Sequence, residues 1–134
     1  VTACPGTPFA VARPPDPHTA SFTDRWYHGD GLWAGLAPPY GGRWFAGEPA
    51  MKVLWYREAP GELRIVGRRL DAPGGNLSAH IPFGYGPSGY QSTAILISEP
   101  GCWEIVGAAG GSTLRITAEV LPAEMSPFGS PSTA

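Results

Sequence analysis

Gly101-Cys102-Trp103-Glu104-Ile105-Val106-Gly107, followed across Gly110-Gly111 by Leu114-Arg115-Ile116-Thr117-Ala118-Glu119-Val120, is the stretch that decides the fold. In its second half Leu114, Ile116, Ala118 and Val120 alternate with Arg115, Thr117 and Glu119. This is the period of two expected of a strand with one buried and one wet face. Gly110-Gly111 joins the halves as a tight hairpin, since glycine takes the positive φ that such turns require.

Outward from this hairpin the same grammar repeats. Residues 51–57 place Val53 and Trp55 on one face and Lys52, Leu54 and Tyr56 on the other, so apolar groups point both ways, as in a central strand. Ala59-Pro60-Gly61 turns that strand into another over 62–70, and further short strands are expected over 21–27, 32–36, 79–83 and 91–98. His28-Gly29-Asp30-Gly31 is an Asp-Gly type of turn between the first two. No segment sustains a helical apolar period. Seven or eight short strands separated by turns predict an all-β fold, an antiparallel sandwich over residues 21–122.

The 134 residues suffice for one domain with an ordinary core. Nineteen glycines and sixteen prolines approach low-complexity composition, but 43% hydrophobic residues and five tryptophans oppose disorder, and short strands with many turns satisfy both. A net charge of -2, without runs of either sign, gives no electrostatic footprint for nucleic acid. No apolar run approaches the 18 residues of a membrane span, and the start at Val1 rather than Met is that expected of a processed, exported chain.

Cys4 and Cys102 are too far apart for a CxxC redox motif or a zinc knuckle, which leaves a long-range disulfide or two free thiols. The disulfide is expected, and with it an oxidising compartment. Val1-Thr2-Ala3-Cys4 also matches the small-residue box before a lipid-modified cysteine, but lipidation would consume the thiol that Cys102 needs. Pro5, Pro8, Pro14, Pro15 and Pro17 exclude a helix over residues 1–20 and make this an extended arm tethered by Cys4, with at most an edge strand near Phe9. Residues 123–134 have the composition of a flexible tail.

Several of these segments together resemble a family of uncharacterised secreted bacterial proteins and lipoproteins. The residues concerned are Lys52 through Arg57, Gly67-Arg68-Arg69-Leu70-Asp71, Gly84-Tyr85-Gly86 with Gly89-Tyr90-Gln91, and Gly101-Cys102-Trp103-Glu104. Family members read K-x-x-W-x-R, G-R-R-L-D, G-Y-G-x-x-G-[FY]-Q and P-x-x-G-C-W-E-V-T-G, where this chain has Ile105-Val106 in the last motif. The resemblance implies a bacterial, secreted or cell-surface protein and carries no activity. Cys102-Trp103 also resembles the tryptophan packed near a disulfide in immunoglobulin-like sandwiches.

No stretch has catalytic form: Gly86-Pro87-Ser88-Gly89 lacks nucleophile-elbow spacing, and no cofactor motif is present. His28 and Asp30, with Asp24 and His80, have the chemistry of metal ligands but no ligand spacing, so no metal is expected. Arg68, Arg69 and Asp71 either hold an acidic ligand or pair within the fold. Asn76-Leu77-Ser78 fits the glycosylation pattern, accidental in a bacterial chain.

Loop aromatics are the strongest functional signal: Tyr40, Trp44, Phe45, Tyr85 and Tyr90 are expected to form a contact surface for a protein or a cell-envelope polysaccharide. Phe9-Ala10-Val11-Ala12 are expected, in the alternative, to add as a strand to another copy of the chain and build a filament. The overall expectation is a non-enzymatic extracellular interaction module.

Overall fold

The computed structural model describes residues 4–128 and consists of two β-sheets packed face to face. Nine strands are described: β1 (Trp26–Gly29), β2 (Leu32–Leu36), β3 (Trp44–Phe45), β4 (Met51–Arg57), β5 (Arg64–Arg69), β6 (Leu77–His80), β7 (Gly89–Ile97), β8 (Gly101–Ala109) and β9 (Ser112–Leu121). One sheet has the order β1-β2-β4-β7-β6 and the other β3-β9-β8-β5. All pairs are antiparallel except β3 with β9, which is parallel.

The hairpin of residues 101–121 forms as its pattern predicts. Gly110 and Gly111 both adopt positive φ, and Leu114, Ile116, Ala118 and Val120 are buried. Asp30-Gly31 closes the β1–β2 hairpin, with Asp30 at φ 52°. The central position of β4, between β2 and β7, agrees with its two apolar faces. Trp55 from β4 reaches across the interface onto β8 at Gly107, where a Cβ would overlap the indole, so a glycine in mid-strand admits the largest side chain of the opposite sheet.

All five tryptophans are buried, and each indole N–H donates a hydrogen bond, which meets the polar requirement of such large rings. Trp44, Trp55 and Trp103 belong to the main core. Trp26 and Trp33 join Leu54 in a second cluster on the outer face of the five-stranded sheet.

The arm departs from its expected form in one respect. It contains a one-turn helix, α1 (Pro17–Ala20), although prolines were expected to exclude one. Pro17 sits at the start of the turn, where no donor is lost, and the Asp16 side chain caps it by accepting from the N–H of His18 and the hydroxyl of Thr19. Thr19 and Ala20 are buried, so the packed domain begins before residue 21.

Tethered by Cys4 as expected, the arm folds back on its own chain. Cys4 and Cys102 form the expected disulfide, with Cα atoms 5.5 Å apart. Thr7 N–H donates to Thr117 O (2.8 Å), and Thr117 N–H donates to Thr7 Oγ1 (2.8 Å). Ala10 N–H donates to Trp26 O (2.7 Å), and no strand forms around Phe9. At the other end Ala123–Met125 makes a 3₁₀ turn, and Phe128 packs edge-on against Tyr40. The remainder of the expected tail, 129–134, lies outside the described residues, as do Val1, Thr2 and Ala3 of the lipidation pattern.

Candidate functional site

Strict alternation along β4 sends Arg57 to the same side as Val53 and Trp55, toward the interior. Arg57 is buried at 4% exposure, and its guanidinium has no carboxylate partner among the described residues. Backbone carbonyls surround it instead. Nη1 donates to Gly61 O (2.9 Å) and Pro87 O (3.2 Å), Nη2 to Gly86 O (2.9 Å) and Ser88 O (3.4 Å), and Nε to Gly89 O (3.4 Å). Five donors thus meet five acceptors, the full capacity of the side chain. Burial lowers the Arg57 pKa from the ordinary arginine value, and the group remains charged.

The effect of this clamp is to fix the irregular connection between β6 and β7. Gly84, Gly86 and Gly89 all take positive φ, so the chain can fold its carbonyls inward around one cation. The segments resembling K-x-x-W-x-R and G-Y-G-x-x-G-[FY]-Q are therefore one physical unit, a guanidinium and the loop it organises.

A cleft of about 840 Å³ opens beside this unit, between the start of β5 and the β6–β7 loop. Arg57 and Gln91 contribute to its lining, with Glu62 and Arg64 on one side and Phe83 and Tyr85 on the other. Glu62 and Arg64 lie 3.6 Å apart and offset each other's charge. Gln91 is 7% exposed; its carboxamide N–H donates to Pro82 O (3.1 Å), and its Oε1 has no donor among the described residues. Phe83 is fully exposed and Tyr85 is half-buried. Tyr85 meets Tyr90 edge-on at 5.6 Å, Tyr90 lies 4.9 Å from Phe22, and Phe22 lies 5.2 Å from His18, so a row of rings leads from α1 to the cleft.

The expected aromatic surface is thus divided. Tyr85 and Tyr90 are partly exposed at the cleft, but Tyr40 (6% exposed), Trp44 (1%) and Phe45 (4%) are core residues, which corrects their assignment to a contact surface. Trp44 and Phe45 form β3, and Trp44 donates to the Tyr27 hydroxyl (3.1 Å). Burial raises the pKa of that Tyr27 phenol. Lys52 N–H donates to the Tyr40 hydroxyl (3.1 Å). These rings plug one region of the sandwich, and residues 38–49 are a covering segment of the core. Phe83 and Arg57 were not singled out in the sequence. Arg57 carried a signal nonetheless, as a charged residue in phase with Val53 and Trp55.

The arm residues also separate. Phe9 packs at a tilt against Tyr27 with ring centroids 4.6 Å apart and Ala10 packs on the outer cluster, whereas Val11 and Ala12 are exposed. His28, Asp30, Asp24 and His80 are not brought together. His28 stacks on Trp33 at 3.7 Å, Asp30 accepts from Thr113 N–H, Asp24 pairs with Arg13, and His80 lies on β6. Among the described residues no three metal-ligating side chains gather. Arg69 pairs with Asp71 (2.8 Å) and Glu99 (3.0 Å), and Arg68 with Glu104 (3.1 Å), so these arginines serve the fold. The Arg69 hydrogen bond holds the Asp71 carboxyl below the ordinary aspartate value. Asn76 lies in the turn before β6, where its N–H donates to Ser98 Oγ.

No helix among the described residues is long and apolar enough to cross a membrane. No protein-family model, curated protein or solved structure matches the chain.

Proposed function

We propose that this chain is a secreted, non-catalytic interaction module that binds a cell-envelope polysaccharide at the cleft beside residues 81–90. The observation that carries the reading is a fully exposed phenylalanine, Phe83, on a loop held by the buried Arg57 clamp next to a sizeable cleft. An exposed ring on a firmly held backbone gives apolar contact area at little cost in ordering entropy. Cleft polarity favours a neutral, hydroxyl-bearing ligand. The Arg57 donors are all engaged, Glu62 and Arg64 offset one another, and the Gln91 Oε1 acceptor has no donor among the described residues. The flat faces of Phe83 and Tyr85 suit stacking on a sugar ring. Secretion is supported by the disulfide, which belongs to oxidising compartments.

The immunoglobulin-like reading draws support from the strand pairings. With β4 through β9 taken as strands B through G, B, E and D share one sheet as β4-β7-β6, and C, F and G share the other as β5-β8-β9. β2 then stands in the place of strand A, next to B. The departures are an added β1, an added β3 parallel to strand G, and a disulfide that runs from strand F to the arm instead of to strand B.

Replacing Phe83 and Tyr85 together with alanine is expected to weaken binding to soluble cell-wall oligosaccharides at least tenfold, about 1.4 kcal/mol. Phe83→Ala alone, at a fully exposed position, is expected to change unfolding stability by less than about 0.5 kcal/mol. Titration calorimetry with the oligosaccharides and co-sedimentation with insoluble wall polymer measure the first effect. Binding unaltered by the double change would remove the cleft from the proposal.

A further inference from the structure

We propose that residues 4–10 form an exchangeable arm, latched by the Cys4–Cys102 disulfide, and that on reduction the groove they leave accepts the same arm of a second copy. The inference is independent of the cleft. It begins from what the arm covers: Thr7 bonds to the edge of β9 at Thr117, beyond the short β3, and Ala10 bonds to the edge of β1 at Trp26. Between them Phe9 packs at a tilt against Tyr27. The arm therefore bridges the two sheets and closes the backbone edges that each presents on this side, edges that otherwise recruit foreign strands.

Apart from the disulfide, the hold is confined to a few contacts. Three hydrogen bonds, the tilted packing of Phe9 on Tyr27 and the main core, and the seat of Ala10 on the outer cluster secure residues 4–10. The next three residues, Val11, Ala12 and Arg13, are exposed and have no regular structure. They are joined to the domain by one exposed ion pair, Arg13 with Asp24 at 3.4 Å, a type of contact worth little. Beyond them Pro14 is buried and Asp16 caps α1, so the chain is anchored again. A loose segment between a separable element and a fixed domain is the anatomy of a swapping hinge.

The occupant that fits the vacated groove without new design is an identical arm, because every contact is already specified by this sequence. Reciprocal exchange of two arms satisfies all contacts and closes as a two-fold dimer, whereas one-way exchange would continue as a filament. The chemical trigger is a dithiol. Its thiolate attacks the partly exposed Cys4 sulfur, releasing Cys102 as a thiol after protonation. Its second thiol then resolves the mixed disulfide, leaving Cys4 and Cys102 reduced and the reagent as its own cyclic disulfide. After exchange, thiol–disulfide exchange with a small disulfide oxidant such as oxidised glutathione, which leaves as two thiols for each bond formed, joins Cys4 of each chain to Cys102 of the partner subunit.

Sedimentation of the full chain at high micromolar concentration, before and after dithiothreitol, tests this. The oxidised chain is expected to sediment as a monomer and the reduced chain as a dimer with its near-ultraviolet tryptophan signal intact. A second variant, lacking Val11 and Ala12, shortens the reach of the hinge by about 7 Å. It is expected to give a dimer joined by disulfides on a non-reducing gel. A reduced chain that stays monomeric, or one that loses the tryptophan signal, overturns the proposal, as does a hinge-shortened chain that closes its disulfide within itself.

Discussion

Arg57→Leu is expected to lower the unfolding free energy by about 3 to 5 kcal/mol, the scale on which removal of one partner from a buried charged network is felt. The change strips five carbonyls, those of Gly61, Gly86, Pro87, Ser88 and Gly89, of their common donor. The loss stays below the sum of five bonds because the buried cation also carries a desolvation cost that disappears with it. Arg57→Lys is expected to recover little, since an ammonium has three donors at one point and the guanidinium spreads five over a plane. Denaturant unfolding followed by tryptophan fluorescence measures both, and a loss under about 1 kcal/mol for Arg57→Leu would show that the loop holds without its clamp. Oligosaccharide binding should fall with the loop, because Phe83 and Tyr85 are carried on it.

Replacement of Cys4 and Cys102 together by serine is expected to cost about 3 to 5 kcal/mol. The two cysteines are 98 positions apart, and chain-entropy bookkeeping gives about 4.7 kcal/mol for a closed loop of roughly that size. Cys102 is also 8% exposed, so the serine hydroxyl enters a nearly closed site. The arm retains the Thr7 and Ala10 hydrogen bonds, which sets the lower end of the range. Equilibrium unfolding at concentrations that keep the chain monomeric is the measurement, with the dithiol-reduced parent as a parallel sample. Equal stability of oxidised and reduced chains would mean that the disulfide adds nothing to the hold that the arm's other contacts already provide.

Against these effects it is clear which parts of the molecule could be read from residues alone. Alternation from Leu114 to Val120, the glycine pair before it and Asp30-Gly31 specified strands and turns because their causes are local: side-chain period and the sign of φ. The pairing of Cys4 with Cys102 needed only two cysteines. Trp44 and Phe45 were misplaced because a segment rich in Pro and Gly was equated with surface, whereas these two residues sufficed to make a parallel strand on β9, and both rings are buried, as is Tyr40 on the 3₁₀ turn before them. The helix in the arm was missed for a similar reason. Proline was counted as a breaker without regard to Asp16-Pro17, a cap followed by the one helical position proline favours. Phe83 was illegible, since its exposure follows from how Arg57 folds the loop at a distance of more than twenty residues.

That clamp separates two properties usually measured as one. Residues 86 and 88 are fixed through their inward carbonyls, yet their amide groups donate to no acceptor among the described residues. Deuterium uptake, which senses the amide hydrogen alone, will register this loop as open, while relaxation or displacement factors, which sense the backbone's excursions, will register it as stiff. Rapid isotope exchange in the segment is therefore no sign of mobility: an element anchored by its oxygens is ordered and unprotected at once.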